Sequence, residues 1–465
     1  MKFIKNSVLS ILFVVVMLIG LTGCDNFKRN SASSLESKVE EKKKKIVTIW
    51  TKDRHDAEFQ LKKIEEYNLN NPDNIEIKYS IFSDNYLQAV DLAFQSNSAP
   101  DILVFTSQVF NNYVVSGKFA DLTPFMDEEF KETFSSSMIE GLNVIDGKCY
   151  YIPTAATICR LFYNKDIFER VGVLEPPRTL HEMVEIAQKI TKELSGEGIY
   201  GFSANMKYPN SALNRSLMPM AQIGLGIRSG FDFKKGVYDF SGYQTILEEW
   251  RTLLSPECAY PNSNSLDIDP LRKLFAAGKI GMYMSYTHSE LGVYENQFPM
   301  EQEWRCTEIP VVDGIILGAQ NSSLNNGYLF NAKSKDLDAA WKAYVSVFAD
   351  IDNLAEYHSQ GLGISTVPKV LERATLNQSY IDNPALLVGE NDKIWPKVPH
   401  EANVNAVVVD GLDMYNTFAE LIYGTMDIKE GLSDLTKRYN KAYQEGINSG
   451  IGEVYKIDNF DPLNP

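Results

Sequence analysis

The chain has 465 residues, of which 44% are hydrophobic, and it carries a formal net charge of −16 at pH 7. An acidic chain of this kind argues against binding to nucleic acid and against adsorption to an anionic membrane surface. The length exceeds what one ordinary hydrophobic core organises, so two lobes or domains are expected.

The N-terminus has the pattern of an export signal. A positively charged start is followed by an uncharged apolar run over residues 8–19, which is too short to span a bilayer. Residues 21–24 (Leu-Thr-Gly-Cys) resemble a bacterial lipobox, in which the cysteine is acylated and the chain is cut before it. The resemblance implies a signal peptide over residues 1–23 and a lipid on Cys24 that anchors the protein to the outside of the cell membrane. The alternative is an ordinary signal peptide with an incidental cysteine.

Residues 24–45 are rich in Ser, Glu and Lys and contain few apolar side chains. This composition is typical of a disordered spacer, here between the lipid and the folded part of the chain. The lysine run at its end is better explained as solvated spacer than as a binding site.

The remaining cysteines have spacings that fit neither a zinc site nor a redox Cys-x-x-Cys pair. They are Cys149, Cys159, Cys258 and Cys306. In an exported chain they are free to form disulfides, and free buried thiols are equally compatible with the sequence. The histidines form no His-Glu-x-x-His motif, so a metal enzyme is not expected. No cofactor is implied by the sequence.

From residue 46 onward, strand and helix patterns alternate. Strands are predicted over residues 46–50, 75–81 and 101–105, with helices around 61–67 and 87–94 between them. This β-α-β-α-β order implies a parallel sheet with helices on its faces. Later patterns predict helices near 183–190, 246–253, 271–275 and 337–348, a strand over 280–284, and two C-terminal helices between about 410 and 444. Two α/β lobes are therefore the predicted fold class.

An ordered series of short motifs points to a family. The motifs are residues 99–102 (Ala-Pro-Asp-Ile), 147–153 (Gly-Lys-Cys-Tyr-Tyr-Ile-Pro), 161–168 (Leu-Phe-Tyr-Asn-Lys-Asp-Ile-Phe), 277–282 (Ala-Gly-Lys-Ile-Gly-Met) and 308–310 (Glu-Ile-Pro). In this order the chain resembles the extracellular solute-binding proteins of bacterial ABC importers, family 1, which include maltose- and oligosaccharide-binding proteins. The resemblance covers nearly the whole chain after the spacer.

The resemblance implies a type II periplasmic-binding-protein-like fold. Each of its two lobes is expected to be a mainly parallel sheet flanked by helices, with a hinge between the lobes. Solute is captured in the cleft, and it drives closure only through its higher affinity for the closed state. The expected segments are 46–156 and 310–365 for lobe I and 157–309 and 366–465 for lobe II. Crossings between the lobes are expected near residues 155–157, 309–310 and 361–366.

The function implied is that of a lipid-anchored, monomeric binding component of an ABC importer. It would bind a mono- or oligosaccharide and deliver it to the transmembrane subunits of the permease. No catalysis and no nucleic acid are implied. ATP would be hydrolysed by other subunits, because the chain has no Gly-x-x-x-x-Gly-Lys-Ser/Thr motif.

Sugars bind to flat aromatic faces and to planar polar groups, which are expected on loops at strand ends. The resemblance gives as candidates Asp53, Arg54, Phe105, Gln108, Thr157, Tyr286, His288, Gln320 and Trp395. Asp53 and Arg54 align with an acidic-basic pair of maltose-binding relatives, although a solvated charged loop is an equal alternative. Gln108 and Thr157 stand where such relatives carry carboxylates, which argues against maltose itself. Tyr286 or His288 would supply the ring that a tryptophan provides in the family.

Three rival functions fit parts of the sequence. An exported glycoside hydrolase needs a matched pair of carboxylates or a nucleophile with its base, and no Gly-x-Ser-x-Gly or metal motif is present. A binder of polyamine or another non-sugar solute is compatible with the acidity. A sensor that presents bound sugar to a membrane receptor is compatible with the fold.

Overall fold

The computed structural model describes residues 44–82, 85–424 and 426–465. The predicted signal peptide, Cys24 and the spacer up to residue 43 lie outside the described residues. The first strand begins at Lys45, which is the last residue assigned to the predicted spacer.

The strands are short and distributed along the whole described chain. They are β1 (Lys45–Thr51), β2 (Ile75–Ile81), β3 (Ile102–Val104), β4 (Val144–Ile145), β5 (Lys148–Cys149), β6 (Ala155–Thr157), β7 (Cys159–Asn164), β8 (Tyr200–Phe202), β9 (Phe231–Asp232), β10 (Val237–Tyr238), β11 (Ile280–Tyr286), β12 (Trp304–Thr307), β13 (Gln320–Asn321), β14 (Ser323–Asn325), β15 (Tyr328–Phe330), β16 (Ile364–Ser365) and β17 (Asp392–Lys393).

The helices lie between these strands and dominate the C-terminal part. They are α1 (Ala57–Asn70), α2 (Tyr86–Gln95), α3 (Ser107–Tyr113), α4 (Glu128–Thr133), α5 (Lys165–Arg170), α6 (Leu180–Leu194), α7 (Pro209–Asn214), α8 (Leu217–Leu225), α9 (Gln244–Leu253), α10 (Ile268–Ala276), α11 (Thr287–Gly292), α12 (Leu337–Val347), α13 (Ile351–Ser359), α14 (Pro368–Arg373), α15 (Gln378–Asp382), α16 (Pro399–Ala402), α17 (Met414–Tyr423) and α18 (Ile428–Asn448). None of the helices in the described ranges is long and apolar enough to cross a bilayer.

The sheet of the first lobe has the order β2-β1-β3-β15. β1 pairs in parallel with β2 and β3, and β15 is added antiparallel to β3. Val47 and Ile49 alternate with more exposed residues along β1 and are buried, because one face of the strand packs on the helices. The predicted parallel β-α-β-α-β unit is confirmed here.

The sheet of the second lobe has the order β12-β7-β11-β8. β8 and β11 are parallel, but β7 pairs antiparallel with both β11 and β12. The expectation of a mainly parallel sheet is therefore wrong for this lobe. β7 enters directly from the hinge and is distant in sequence from β11, so no β-α-β connection fixes the relative direction of the two strands.

A three-stranded sheet of β14, β6 and β16 joins the lobes. β6 and β16 lie where the first and third crossings are predicted. The crossing predicted at residues 309–310 is wrong, since Ile309 and Val311 are buried in the core of the second lobe. The Val311 carbonyl accepts a hydrogen bond from the Leu180 N–H at the start of α6, which keeps this segment in the second lobe until β14.

The boundary after β16 also differs from the expected one. Val367 and Val370 are buried in the core of the first lobe, together with Leu354 of α13. The next buried residue in the second lobe is Tyr380. The return to that lobe therefore follows α14, later than residue 366, because the apolar face of α14 is covered by α13.

The four cysteines of the described chain are free thiols, and all are buried. Burial raises the pKa of each of them to about 12: Cys149, Cys159, Cys258 and Cys306. Of the two states compatible with the sequence, the structure shows the buried free thiol. These side chains act as small apolar core residues.

Candidate functional site

The cleft between the lobes contains two adjoining chambers, each of about 370 Å³. We call them the Trp395 chamber and the His288 chamber, after residues that line only one of the two. The walls that they share are formed by Phe105, Ser107, Thr157, Tyr286, Ser323 and Leu324. These residues come from the first lobe, the hinge and the second lobe, so both chambers lie where the two lobes and the hinge meet.

Phe105 gives the cleft an aromatic wall on the first lobe. It follows β3, and the next residue, Thr106, caps α3 by accepting a hydrogen bond from the Val109 N–H at 3.1 Å. The Phe105 ring stacks on Tyr151, with ring centroids 4.1 Å apart and 20° between the planes. The cap and the stack fix the direction of Phe105 into the cleft.

Thr157, Tyr286 and His288 meet on the opposite side. Thr157 ends β6, Tyr286 ends β11, and His288 lies in the first turn of α11. The Thr157 Oγ1 and His288 Nδ1 atoms are 2.6 Å apart. Three of the predicted ligand contacts are thereby brought together: Thr157 and Tyr286 line both chambers, and His288 lines the chamber that carries its name.

Burial lowers the pKa of His288 well below its ordinary value. Electrostatic interactions with four nearby basic side chains act in the same direction, and these residues are His55, Lys52, Arg272 and Arg215. The imidazole is therefore neutral at pH 7 and offers one donor and one acceptor for hydrogen bonds.

Asp53 and Arg54 line the His288 chamber. The Arg54 Nη2 atom lies 2.8 Å from the Asp269 Oδ2 atom of α10, so this ion pair spans the cleft. Asp53 lies 3.6 Å from the Lys52 ammonium. The charged loop after β1 is thus part of the cleft wall and of the contact between lobes.

Three other candidates are placed differently. Gln108 is exposed on α3 and lines neither chamber, because the inward face of that helix is formed by Val109 and Phe110. Gln320 is buried and lines neither chamber: its Oε1 atom accepts from Arg160 at 2.9 Å and its Nε2 atom donates to the Cys159 carbonyl at 2.7 Å.

Trp395 borders the chamber that carries its name, but only 2% of it is exposed. Its Nε1 atom donates to the Ala319 carbonyl at 2.9 Å, and its ring packs against Phe460 at 5.3 Å between centroids. The ring belongs to the core of the second lobe and offers the cleft an edge instead of a face.

Sequence reasoning missed the basic residues of the second lobe. The Arg215 guanidinium lies over the Tyr286 ring, 4.9 Å from its centroid. In the other chamber, Arg228 lies 2.8 Å from Glu401, and Lys397 lies close by on the same wall. These side chains lie in the short segments next to helices and belong to no recognisable sequence motif. In the sequence, each is only an isolated basic residue beside apolar residues.

Within the described ranges, no group of His, Cys, Asp and Glu side chains is arranged to hold a metal ion. Residues 62–387 match the family of bacterial extracellular solute-binding proteins. The chain belongs to this family. The resemblance inferred from the ordered motifs is confirmed.

Curated relatives of this solute-binding protein include binding proteins of Brucella abortus (strain 2308) and Brucella suis biovar 1 (strain 1330). Each is 25% identical over 268 residues, which is 57% of this chain and 62% of the relative. The match therefore spans less than two thirds of the length of these relatives.

Solved structures of other solute-binding proteins have the same fold. They include a substrate-binding protein of Listeria monocytogenes in complex with cycloalternan (16% identity, TM-score 0.64, 86% of this chain and 98% of that chain). A chitin oligosaccharide binding protein matches at 17% identity with a TM-score of 0.66 over 86% of this chain and 99% of its own. The maltose/maltodextrin-binding domain of Bdellovibrio bacteriovorus, bound to maltotriose, matches at 14% identity with a TM-score of 0.65 over 87% and 100%. The two-lobed α/β fold is confirmed.

Polar contacts join the two lobes of this solute-binding protein across the cleft. Besides Arg54 and Asp269, the Asn111 Nδ2 atom of α3 donates to the Glu401 carbonyl of α16 at 2.7 Å. The Lys397 ammonium donates to the Leu142 carbonyl at 3.4 Å. The lobes therefore touch at the rim of the cleft, as in a conformation that encloses its solute.

Proposed function

We propose that this protein is the lipid-anchored binding component of an ABC importer, and that it binds an oligosaccharide in the cleft and delivers it to the membrane permease. The observation that carries the proposal is the pair of adjoining chambers between the lobes of a solute-binding fold. Two chambers with a shared wall suit a chain of sugar units better than a single small solute. Solved structures with the same fold are described as complexes with cycloalternan and with maltotriose.

The walls of the cleft also have the chemistry that sugars require. Phe105 and Tyr286 supply aromatic surface to both chambers, and Thr157, Ser107 and Ser323 supply hydroxyl groups. Aromatic faces cover the C–H surface of a pyranose, while hydroxyls exchange hydrogen bonds with its hydroxyl groups.

The carboxylates that line the chambers do not favour a glycoside hydrolase. Asp53 lies near Lys52, Asp269 is paired with Arg54 and Arg272, and Glu401 is paired with Arg228. Hydrolysis of a glycoside needs one protonated and one free carboxyl group on either side of the bond. Each of these carboxylates instead faces a basic side chain, and no two of them face each other as a matched pair.

Titration calorimetry of the protein with a panel of oligosaccharides tests the proposed function. We expect saturable binding without turnover, and Phe105→Ala should weaken it about tenfold, which corresponds to about 1.4 kcal/mol. Gln108→Ala is the matched control, because Gln108 lies nearby on the exposed face of α3. Turnover of an oligosaccharide would contradict the proposal, and so would binding of spermidine in place of sugars.

The lipid anchor has its own test. Cys24→Ser should move the protein from the membrane fraction to the soluble fraction while its affinity for oligosaccharide stays unchanged. A random-coil segment of about twenty residues has a root-mean-square end-to-end distance of roughly 25 Å, so a lipid on Cys24 would give the binding lobes a high effective concentration near the permease. Membrane retention of the variant would contradict lipidation at Cys24, and a loss of affinity would contradict a role limited to anchoring.

A further inference from the structure

The walls of the cleft have the opposite charge to the chain as a whole. The net charge of the chain is −16, yet among the described residues that line the chambers the cations outnumber the carboxylates by two to one. The cations are Lys52, Arg54, Arg215, Arg228, Arg272 and Lys397, and the carboxylates are Asp53, Asp269 and Glu401. Glu290, buried behind the wall, pairs with Arg272, and the cations remain in excess when it is included. A positively charged cleft attracts anions and raises their local concentration, even though the rest of an acidic protein surface repels them.

Arg215 has no carboxylate partner within 4 Å among the described residues, unlike the other arginines of the chambers. Its Nε atom donates to the Ser211 carbonyl at 3.0 Å, its Nη2 atom to Ser211 Oγ at 3.1 Å, and its Nη1 atom to Ser285 Oγ at 3.4 Å. Burial lowers the pKa of Arg215, and the charge of Arg272 adds to the effect. The direct hydrogen-bond partners of the guanidinium are all neutral, and the Glu290 carboxylate acts on it only from beyond Ser285.

Lys397, in the Trp395 chamber, likewise lacks a carboxylate partner within 4 Å among the described residues. Its Nζ atom lies over the Phe110 ring, 5.3 Å from the centroid, and reaches the Leu142 carbonyl at 3.4 Å. No carboxylate of the described chain lies within 4 Å of it, and burial lowers its pKa. A partly buried cation is costly unless an anion accompanies it. Each chamber thus holds one cation with no carboxylate of the described residues within 4 Å.

We propose that the solute is an acidic oligosaccharide, whose anionic groups pair with Arg215 in the His288 chamber and with Lys397 in the Trp395 chamber. Carboxylate and sulfate ester oxygens form charge-assisted bonds to a guanidinium or an ammonium, which the hydroxyl groups of a neutral sugar do not. The same charges disfavour a polyamine. This inference rests on the proposed function, because it takes the cleft as the site of an oligosaccharide.

Calorimetry with three matched ligands tests the inference: an oligouronate, a sulfated oligosaccharide and a neutral oligosaccharide of equal length. We expect one of the acidic ligands to bind more tightly than the neutral one, and the two acidic arms identify the anionic group. Arg215→Gln should weaken the acidic ligand about 10- to 100-fold, as expected for a charged hydrogen bond, and should change neutral binding little. Lys397→Gln should act in the same direction.

Arg170→Gln is the matched control, since Arg170 is exposed, pairs with Glu197 and lines neither chamber. If Arg215→Gln does not fold, Arg215→Lys and the unsubstituted protein are measured instead. Binding of the acidic ligand to the unsubstituted protein should weaken as the salt concentration rises, because pairing of charges weakens with ionic strength. Equal or tighter binding of the neutral ligand, or an equal effect of Arg215→Gln on both classes, would overturn the inference and leave the proposed function intact. Binding of no oligosaccharide at all would overturn both.

Discussion

Replacing Arg160 by methionine should lower the free energy of unfolding by about 3–5 kcal/mol. Arg160 lies on β7 and is fully buried. Its Nη2 atom is 2.6 Å from Asp392 Oδ2 and its Nη1 atom is 3.2 Å from Asp392 Oδ1. Without the guanidinium, a buried carboxylate remains in a medium of low dielectric constant with no counter-ion, which is the main cost.

Arg160 also holds together segments that are far apart in sequence. Its Nε atom donates to the Ala385 carbonyl at 2.7 Å, and its Nη1 atom donates to Gln320 Oε1 at 2.9 Å. Gln320 begins β13, which pairs with β17, the strand that carries Asp392. The guanidinium thus fixes the strand pair next to the hinge, and its loss should reduce the cooperativity of the second lobe.

Denaturant unfolding followed by circular dichroism measures the Arg160→Met effect. Arg170→Met is the matched control, because the Arg170–Glu197 pair is exposed and such pairs contribute about 0–1 kcal/mol. The double variant Arg160→Met/Asp392→Leu should recover part of the loss, since it removes both buried charges. A change below about 1 kcal/mol for Arg160→Met would show that the buried pair does not stabilise the fold.

The sequence predicts the first lobe well because its signals are local. Val47 and Ile49 alternate along β1, and the apolar residues of α1 and α2 recur at helical spacing. A helix between successive strands provides the long crossover that parallel pairing requires. The direction of β7 and the crossing at β14 depend on contacts between distant segments. Periodicity contains no information about such pairings.

The candidate site also combines features that local sequence signals predict with features that depend on contacts between distant segments. Thr157, Tyr286 and His288 meet because they lie at or beside strand ends of the hinge and the second lobe, where cleft residues of α/β lobes are expected. Gln320 and Trp395 have suitable chemistry, but their polar atoms are used by Arg160, Cys159 and Ala319. Conversely, Arg215 is a candidate for binding an anion because no carboxylate of the described residues lies within 4 Å of it in the folded chain. A sequence pattern shows neither kind of environment.

Glu290→Gln should lower the free energy of unfolding by about 3 kcal/mol at pH 7. Glu290 of α11 is fully buried, and its Oε1 atom lies 2.6 Å from Arg272 Nη2. Tyr283 and Ser285 of β11 donate to the same carboxylate at 2.6 and 2.5 Å. An amide at this position leaves Arg272 without its closest counter-charge and turns two carboxylate acceptors into one acceptor and one donor.

The pH dependence separates this charge effect from a packing defect. Burial acts to raise the pKa of Glu290, but Arg272 and the hydroxyl donors lower it overall. The folded pKa lies below the unfolded value of about 4.3, so the contribution of Glu290 is complete above that pH and is lost as the pH falls through the folded pKa. The difference between the unsubstituted protein and Glu290→Gln should therefore narrow in acid.

Urea unfolding at a series of pH values from neutral to acid measures this difference. Glu128→Gln is the matched control, because Glu128 is exposed and pairs only with Lys131 on the same helix turn, where a change within about 0.5 kcal/mol is expected. A difference that stays constant with pH would mean that the amide disturbs packing instead of removing a charge. Because Arg272 also lines the His288 chamber, the same carboxylate sets the charge that the cleft presents to its solute.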